Sequence, residues 1–206
     1  IPLRIARTLQ GVGLWQSLTV VENVMASLHR RSRGDIASAL LGLPRSSRDE
    51  QRLRVLALAS LERLGVADHA ERYPGSLPYA VQKKVALARA LVSEPRLLLL
   101  DEPASGLSEA DIESLATLVR ELRRHLAVLL VEHHMDFVMS VCDRLEVLDF
   151  GRVIASGTPD EVRRNPLVTS AYLGEDVPGE PYDGPSAGAA LDSTIERDVP
   201  ESGQSR

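Results

Sequence analysis

The chain has 206 residues, 44% of them hydrophobic and only 3% aromatic, enough for one domain with a core built from Leu, Val, Ala and Ile, plus a subdomain. Its net charge of −5 argues against nucleic-acid binding through a basic face. Cys142 stands alone, which excludes an internal disulfide and fits a reducing compartment with the thiol in a packing role; no apolar run approaches the roughly 20 residues of a membrane helix, and no secretory leader is visible.

The chain opens on Ile1 rather than Met, as a fragment, a processed form or part of a longer reading frame would, and residues 1–18 contain no complete structural unit. Gln10-Gly11-Val12-Gly13 reads as a strand end running into a flexible loop. The Gln10 amide offers an oxygen for a metal and a donor for water, beside the plainer reading of an ordinary loop residue. Trp15 reads either as a core anchor or as an interface contact. Thr19-Val20-Val21-Glu22 is a capping box that predicts a helix to about residue 30, with Val21, Val24 or Met25, and Leu28 as its apolar stripe. Residues 31–46 read as a loop with a short apolar helix at 36–41. Arg30, Arg31 and Arg33 there are solvated or touch lipid headgroups. Ser47-Arg48-Asp49-Glu50 predicts the start of the next helix. Leu53, Leu56, Ala57, Leu61 and Leu64 form its buried face, and Gly65 ends it. No strand pattern interrupts 19–92, which reads as an all-helical subdomain. A helix over 79–91 then opens at Leu77-Pro78-Tyr79-Ala80-Val81-Gln82-Lys83-Lys84, and a helix start is a natural phosphate site because its free N–H groups and dipole face the anion.

The next stretch organises the rest. Leu97-Leu98-Leu99-Leu100 predicts a strand buried on both faces, as in a parallel sheet, and Asp101-Glu102-Pro103 follows at its C-terminal edge, where open α/β sheets place ligands. Asp101 suits a magnesium ion, directly or through water. Glu102 suits the orientation or deprotonation of an attacking water. Read alone, the heptapeptide is equally a core strand capped by solvated acids. Ala104-Ser105-Gly106-Leu107-Ser108 follows, and Ser108-Glu109-Ala110-Asp111 caps a helix to about residue 125, with Ile112, Leu115, Leu118 and Leu122 on its core side. His125 reads as a C-terminal cap. A second buried strand at 127–131 ends at Glu132-His133-His134. The paired histidines point apart on extended chain and have no third ligand at metal spacing, which disfavours a zinc site. Beyond a short helix at 135–141, residues 144–148 and 152–156 read as a hairpin around Asp149-Phe150-Gly151. Thr158-Pro159-Asp160-Glu161 caps another helix, and 166–173 is the last. Residues 175–206 hold eight Asp or Glu against Arg197 and Arg206, a net −6, so the rest of the chain carries +1 of the total −5; this composition predicts a disordered acidic tail.

In this order, the segment at 77–91, the strand with Asp101 and Glu102, and Leu129-Leu130-Val131-Glu132-His133-His134-Met135 resemble the signature, the Walker B motif and the switch histidine of an ATP-binding-cassette ATPase. Gln10 falls at the Q-loop position. Ala6-Arg7-Thr8-Leu9-Gln10, Leu18-Thr19-Val20-Val21-Glu22-Asn23, the signature tyrosine, and Asn165-Pro166-Leu167 leading to Ala171-Tyr172-Leu173-Gly174-Glu175 are similar to the ATP-binding subunits of branched-chain amino acid importers. The resemblance covers about residues 4–175. It implies a P-loop NTPase fold, α/β with a mostly parallel sheet, truncated at the N-terminus. The implied layout is a Q-loop segment at 1–18, a helical subdomain at 19–92 and an α/β core at 93–174. It also implies ATP and Mg2+ as cofactors. Glu102 would be the catalytic base, His133 and Gln10 the γ-phosphate sensors, Asp101 and Gln10 the magnesium ligands. Pro78, Tyr79, Ala80, Val81 and Gln82 would meet the γ-phosphate held on the opposite subunit. The implied partners are a second ATPase subunit, identical or not, and transmembrane permease subunits. The implied location is the cytoplasmic face of the cell membrane. ATP closes the dimer in this family, and hydrolysis resets it.

The sequence also departs from the pattern. The usual Ser-Gly-Gly-Gln reads Pro78-Tyr79-Ala80-Val81, where the tyrosine fits the importer subfamily. Pro78 lacks a hydroxyl and an N–H. Ala80 would be strained by about 1–2 kcal/mol if its φ were positive. Val81 replaces an amide. These changes predict a weakened phosphate site, to which Lys83 or Lys84 could still bring charge. Ser108 stands where the interface loop usually ends in Asp. No Gly-x-x-x-x-Gly-Lys-Ser/Thr phosphate loop occurs in the sequence; in the family it would lie upstream, as would the aromatic residue that stacks on adenine, which predicts poor ATP binding by this chain alone. Two other readings follow: a catalytically degenerate structural or regulatory partner of a competent subunit, and a DNA-repair ATPase of the same superfamily. The latter is disfavoured because 31–76 is too short for heptad coiled coils and lacks heptads. The transported substrate rests on subfamily resemblance alone, with urea and short amides as plausible cargo of related systems.

Overall fold

The computed structural model describes residues 4–8, 11–31 and 44–173. Gln10, the helix expected at 36–41 and the acidic tail lie outside the described residues. The chain divides into two compact units, one up to Asp143 and one from Arg144 onward.

In the first unit, β1 (Ile5–Arg7), β2 (Leu97–Asp101) and β3 (Ala127–Val131) form a parallel sheet in the order β1-β2-β3. Leu98 lies between Ala6 and Val128, and Asp101 beside Val131, so β2 is the central strand. Side chains alternate across a strand, and among the described residues the fully buried side chains of this sheet lie on one face. Leu98 and Leu100 are buried, whereas Ile5, Leu129 and Val131 on the other face are exposed. The strand read as buried on both faces is therefore buried on one, with Leu97 and Leu99 half-covered.

Among the described residues from 19 to 92 there are helices and no strands. Helix α1 (Val20–Met25) continues as a 3-10 turn to Arg31, and both hydrogen bonds of the Thr19–Glu22 capping box form. That box holds the Glu22 carboxyl below its usual value, chiefly through the Thr19 backbone N–H. Helix α2 (Pro44–Arg63) begins three residues before the expected Ser47, with Pro44 at its first turn, where a missing N–H costs nothing. Leu53, Ala57, Leu61 and Leu64 are buried as the pattern predicts, and Gly65 takes φ +65° beyond the helix end. Helix α3 (Tyr79–Leu91) buries Val85 to Ala88 and packs on α1 and α2. Helix α4 (Glu109–Leu122) is capped by Ser108, as its sequence predicts. Its fully buried positions are Ala116, Val119 and Leu122; Ile112, Leu115 and Leu118 are half-buried because two of them line the open cleft described below. Helix α5 (Met135–Val141) follows β3.

The second unit is a hairpin of β4 (Leu145–Asp149) and β5 (Arg152–Gly157), then α6 (Pro159–Arg163) and α7 (Pro166–Leu173). Phe150 and Gly151 both take positive φ at the turn, the backbone that a two-residue hairpin loop demands. The expected Thr158–Glu161 capping box forms, with Pro159 in the first turn.

Candidate active site at the C-terminal edge of the sheet

Because β2 and β3 are parallel and in register, their C-terminal ends deliver Asp101, Glu102, Glu132 and His133 to one edge. Glu102 N–H donates to the Val131 carbonyl at 2.9 Å, so the β2 ladder runs one residue past the strand. Glu102 itself sits at φ +44°. That left-handed backbone is costly for a residue with a Cβ, on the order of 1–3 kcal/mol, and clusters at functional sites. It turns the carboxylate towards β3, where Glu102 Oε1 lies 3.8 Å from His133 Nδ1. The His133 side chain is two-thirds exposed, open to a ligand from outside.

Beneath this pair lies Glu132, whose side chain is 0% exposed. Its Oε1 accepts from Ala104 N–H at 2.8 Å, and its Oε2 from His133 N–H at 2.8 Å and His134 N–H at 3.3 Å. His133 Nδ1 is 3.4 Å from the same Oε2. A buried carboxylate is tolerated when hydrogen bonds and an opposite charge satisfy it, and here the cation is Lys83. The Lys83 ammonium donates to the Glu102 and Pro103 carbonyls at 3.2 and 2.7 Å. Burial lowers its pKa, and the charges of Glu132 and Glu102 oppose that shift. Of Lys83 and Lys84, either of which could bring charge to a phosphate, Lys83 holds the turn after β2.

On the other side of Asp101, Arg7 at the end of β1 donates to Oδ2 at 2.9 Å. Asp101 and Glu102 supply hard oxygen donors at a strand edge, which fits a magnesium ion that keeps waters and takes its remaining ligands from substrate phosphates. Among the described residues, no group of three or more His, Cys, Asp or Glu could hold a metal by itself. The donor set therefore suits a metal arriving with a nucleotide.

The start of α3 is built differently. Pro78 is its N-cap and makes no side-chain cap bond. The first N–H to bond back is that of Gln82, to the Pro78 carbonyl at 3.1 Å, so the N–H groups of Tyr79, Ala80 and Val81 precede the intrahelical ladder. Ala80 lies within the helix and is not among the non-glycine residues with positive φ; the strain considered for it does not arise. The Gln82 amide donates to its own Leu77 carbonyl at 2.9 Å. The Tyr79 ring lies 5.3 Å from Lys83 Nζ and packs against Gly106, where a Cβ would meet the ring at 3.1 Å. Gly106 also has φ +72°, so two constraints select glycine there. Ala80, Lys84, Leu87, Leu107, Leu115 and Leu118 help to line a largely apolar open cleft that reaches Asp101 and Glu102.

The segment after β1 is fixed from the helical side. Asn23, fully buried, accepts from Trp15 N–H at 2.8 Å and donates to the carbonyls of Trp15, Leu18 and Thr19. Arg89 donates to the Gly13 carbonyl at 2.7 Å and sits 5.2 Å from the Trp15 ring, and burial lowers its pKa. Trp15 is half-exposed on this clamp rather than anchored in the core. His134 caps α5, its Nδ1 accepting from Phe137 N–H at 3.4 Å.

Residues 2–105 match the family model described as ABC transporter, and residues 152–178 match that of the branched-chain amino acid ATP-binding cassette transporter. The chain belongs to the ABC transporter ATP-binding family. It is 40% identical over 173 residues to the high-affinity branched-chain amino acid transport ATP-binding protein LivG of Salmonella typhimurium, covering 83% of this chain and 68% of the relative. It is 39% identical over the same length to LivG of Escherichia coli K12, and 38% identical to BraF of Pseudomonas aeruginosa, with the same coverage. A similar solved structure is the ATP-binding cassette MJ0796, a dimer in a post-hydrolysis state bound to ADP and Pi. It has a TM-score of 0.61 and 25% identity, over 75% of this chain and 62% of that one. The fold is thus that of a P-loop ATPase of the ABC class, of which this chain spans a part.

Of the residues that the sequence proposes for the site, the structure brings Asp101, Glu102 and His133 to one edge and gathers Pro78 to Gln82 at one helix start. Gln10 lies outside the described residues, next to Gly11. Sequence reasoning passed over Glu132, Lys83 as a bridge, Arg7 and Asn23. For Glu132 a signal was present: a carboxylate immediately before His133, at the C-terminal edge of a strand.

Proposed function

We propose that this chain is the catalytic portion of the ATP-hydrolysing subunit of an importer for branched-chain amino acids. It works as a dimer beneath transmembrane permease subunits on the cytoplasmic face of the membrane. The observation that carries the catalytic assignment is the approach of Glu102 Oε1 to His133 Nδ1, 3.8 Å, on a Glu102 backbone held at φ +44°. A carboxylate and an imidazole that converge on one exposed point can handle an attacking water and the phosphate it attacks. Glu102 orients the water and takes its proton. His133 donates a hydrogen bond to a γ-phosphate oxygen, with Gln10 as the second sensor. Asp101, with Gln10, would hold the magnesium ion, and Arg7 holds the Asp101 carboxylate at 2.9 Å. Magnesium, when bound with the nucleotide, neutralises charge on the phosphates. The free N–H groups at the start of α3 meet the nucleotide of the opposite subunit.

No Gly-x-x-x-x-Gly-Lys-Ser/Thr phosphate loop occurs in residues 1–206. The chain alone then binds ATP weakly, and a sub-millimolar affinity by titration calorimetry would contradict this. The relatives' substrate supports branched-chain amino acids as cargo. A second reading, a non-hydrolysing partner of a competent subunit, is favoured by one feature: the polar groups near the start of α3, Gln82 and Lys83, turn to their own chain. Uptake of labelled leucine by cells that depend on the transporter separates the two. Loss of uptake in Glu102→Gln supports the catalytic reading, and unchanged uptake supports the partner.

A further inference from the structure

The edge of the sheet carries a device that the catalytic assignment does not use. Glu132 joins two loops: through Oε1 the segment 104–108 that follows the Glu102 turn, and through Oε2 the segment bearing His133. Among the described residues, no other hydrogen bond joins residues 104–108 to residues 132–134, and a fully buried carboxylate side chain is an expensive group to keep without a purpose. The backbone N–H groups of Ala104, His133 and His134 all donate to it, and His133 Nδ1 lies 3.4 Å from Oε2, so the three N–H bonds demand an acceptor at both ends of one side chain. A carboxylate meets that demand; a carboxamide accepts at one end and presents N–H to N–H at the other.

We propose that Glu132 is a positioning residue that locks the switch histidine to the loop 104–108, so that His133 and this loop move as one body. Lys83 extends the lock to α3, since its ammonium holds the carbonyls of Glu102 and Pro103 directly before Ala104. Movement at the start of α3 or in 104–108 is then transmitted to the His133 imidazole through one carboxylate.

The first test is amide hydrogen exchange on this chain, read residue by residue, and it does not depend on the catalytic reading. The Ala104, His133 and His134 amides exchange at least about tenfold more slowly than unstructured peptide. In Glu132→Gln the protection is lost at one end, either Ala104 or the histidine pair, and kept at the other. Protection kept at both ends overturns the proposal. If Glu132→Gln does not fold, Glu132→Asp replaces it, since a side chain one methylene shorter cannot span both loops. Should neither fold, the unsubstituted chain decides, because unprotected His133 and His134 amides overturn the lock. The second test rests on the catalytic reading and uses the assembled transporter. Glu132→Gln lowers kcat by about 10- to 100-fold with KM for ATP unchanged. In a His133→Ala background it costs no more than about twofold further, because it acts through that histidine. Fully additive losses overturn the proposal. An unsubstituted transporter without ATPase activity overturns the catalytic reading and leaves the exchange result standing.

Discussion

The end of the sheet and the start of α3 are neighbours in the fold and opposites in construction. At the sheet edge every charged group has a partner, the backbone of Glu102 is strained, and an imidazole stands exposed above a buried carboxylate. At the helix start the cap is an unbonded proline, the backbone is relaxed and the polar side chains face inward. Strain held against its cost marks a place where geometry matters; no such strain is present at Ala80. The difference teaches that the substitutions at Pro78, Ala80 and Val81 fall where the backbone is relaxed, while Asp101, Glu102 and His133 stand together at the strained sheet edge.

The largest effect that sharpens this contrast is at the sheet edge. His133→Ala removes the exposed donor and lowers kcat of the assembled transporter by about 10²- to 10³-fold, measured by steady-state phosphate release. The helix start predicts a gain instead. Restoring Ser, Gly and Gln at 78, 80 and 81 together raises ATPase activity by about tenfold, and no change would break the account of an attenuated site. Because Ala80 is unstrained, Ala80→Gly alone contributes nothing to that gain and lowers helix stability by about 1 kcal/mol. Gly106→Ala probes the seam between the regions. Its φ of +72° costs an alanine about 1–2 kcal/mol, and the new Cβ displaces the Tyr79 ring. The melting temperature falls by about 2–4 °C per kcal/mol. The smallest effect is one of pH. Burial lowers the Lys83 pKa from 10.5, so above the lowered value the folded chain has released a proton that the unfolded chain still binds. Stability therefore gains a rising contribution as the pH climbs through that window towards 10.5, and Lys83→Met removes it. Urea midpoints of the two proteins across the alkaline range measure the difference.

Much of the fold is legible because its determinants are local. Thr19 and Glu22, or Thr158 and Glu161, lie three residues apart and define their helix starts without help from the rest of the chain. Phe150-Gly151 between two apolar strands announces a tight turn. The four leucines announce a strand, but whether one face or both are covered depends on what packs over Leu97 and Leu99, which no pattern within the strand records. Helix α4 shows the same limit, since its apolar stripe was visible while the cleft that half-exposes Leu115 and Leu118 was not. At the site, Asp101, Glu102 and His133 stand out because chemistry-bearing residues at strand ends are informative by type. Glu132 carries the same signal of type and place, but its role is not legible, because one of its donors is an N–H 28 residues away. Lys83 misleads for the same reason. Its charge is plain in the sequence, but the carbonyls that take it are 19 and 20 residues downstream.

The most direct measurement is single-turnover ATP hydrolysis by the assembled transporter carrying Glu102→Gln, with nucleotide binding followed separately. The account predicts retained binding and a hydrolysis step slowed by about 10²- to 10⁴-fold. Hydrolysis within about twofold of the unsubstituted protein would contradict it and leave the sheet edge a structural feature of a non-hydrolysing subunit.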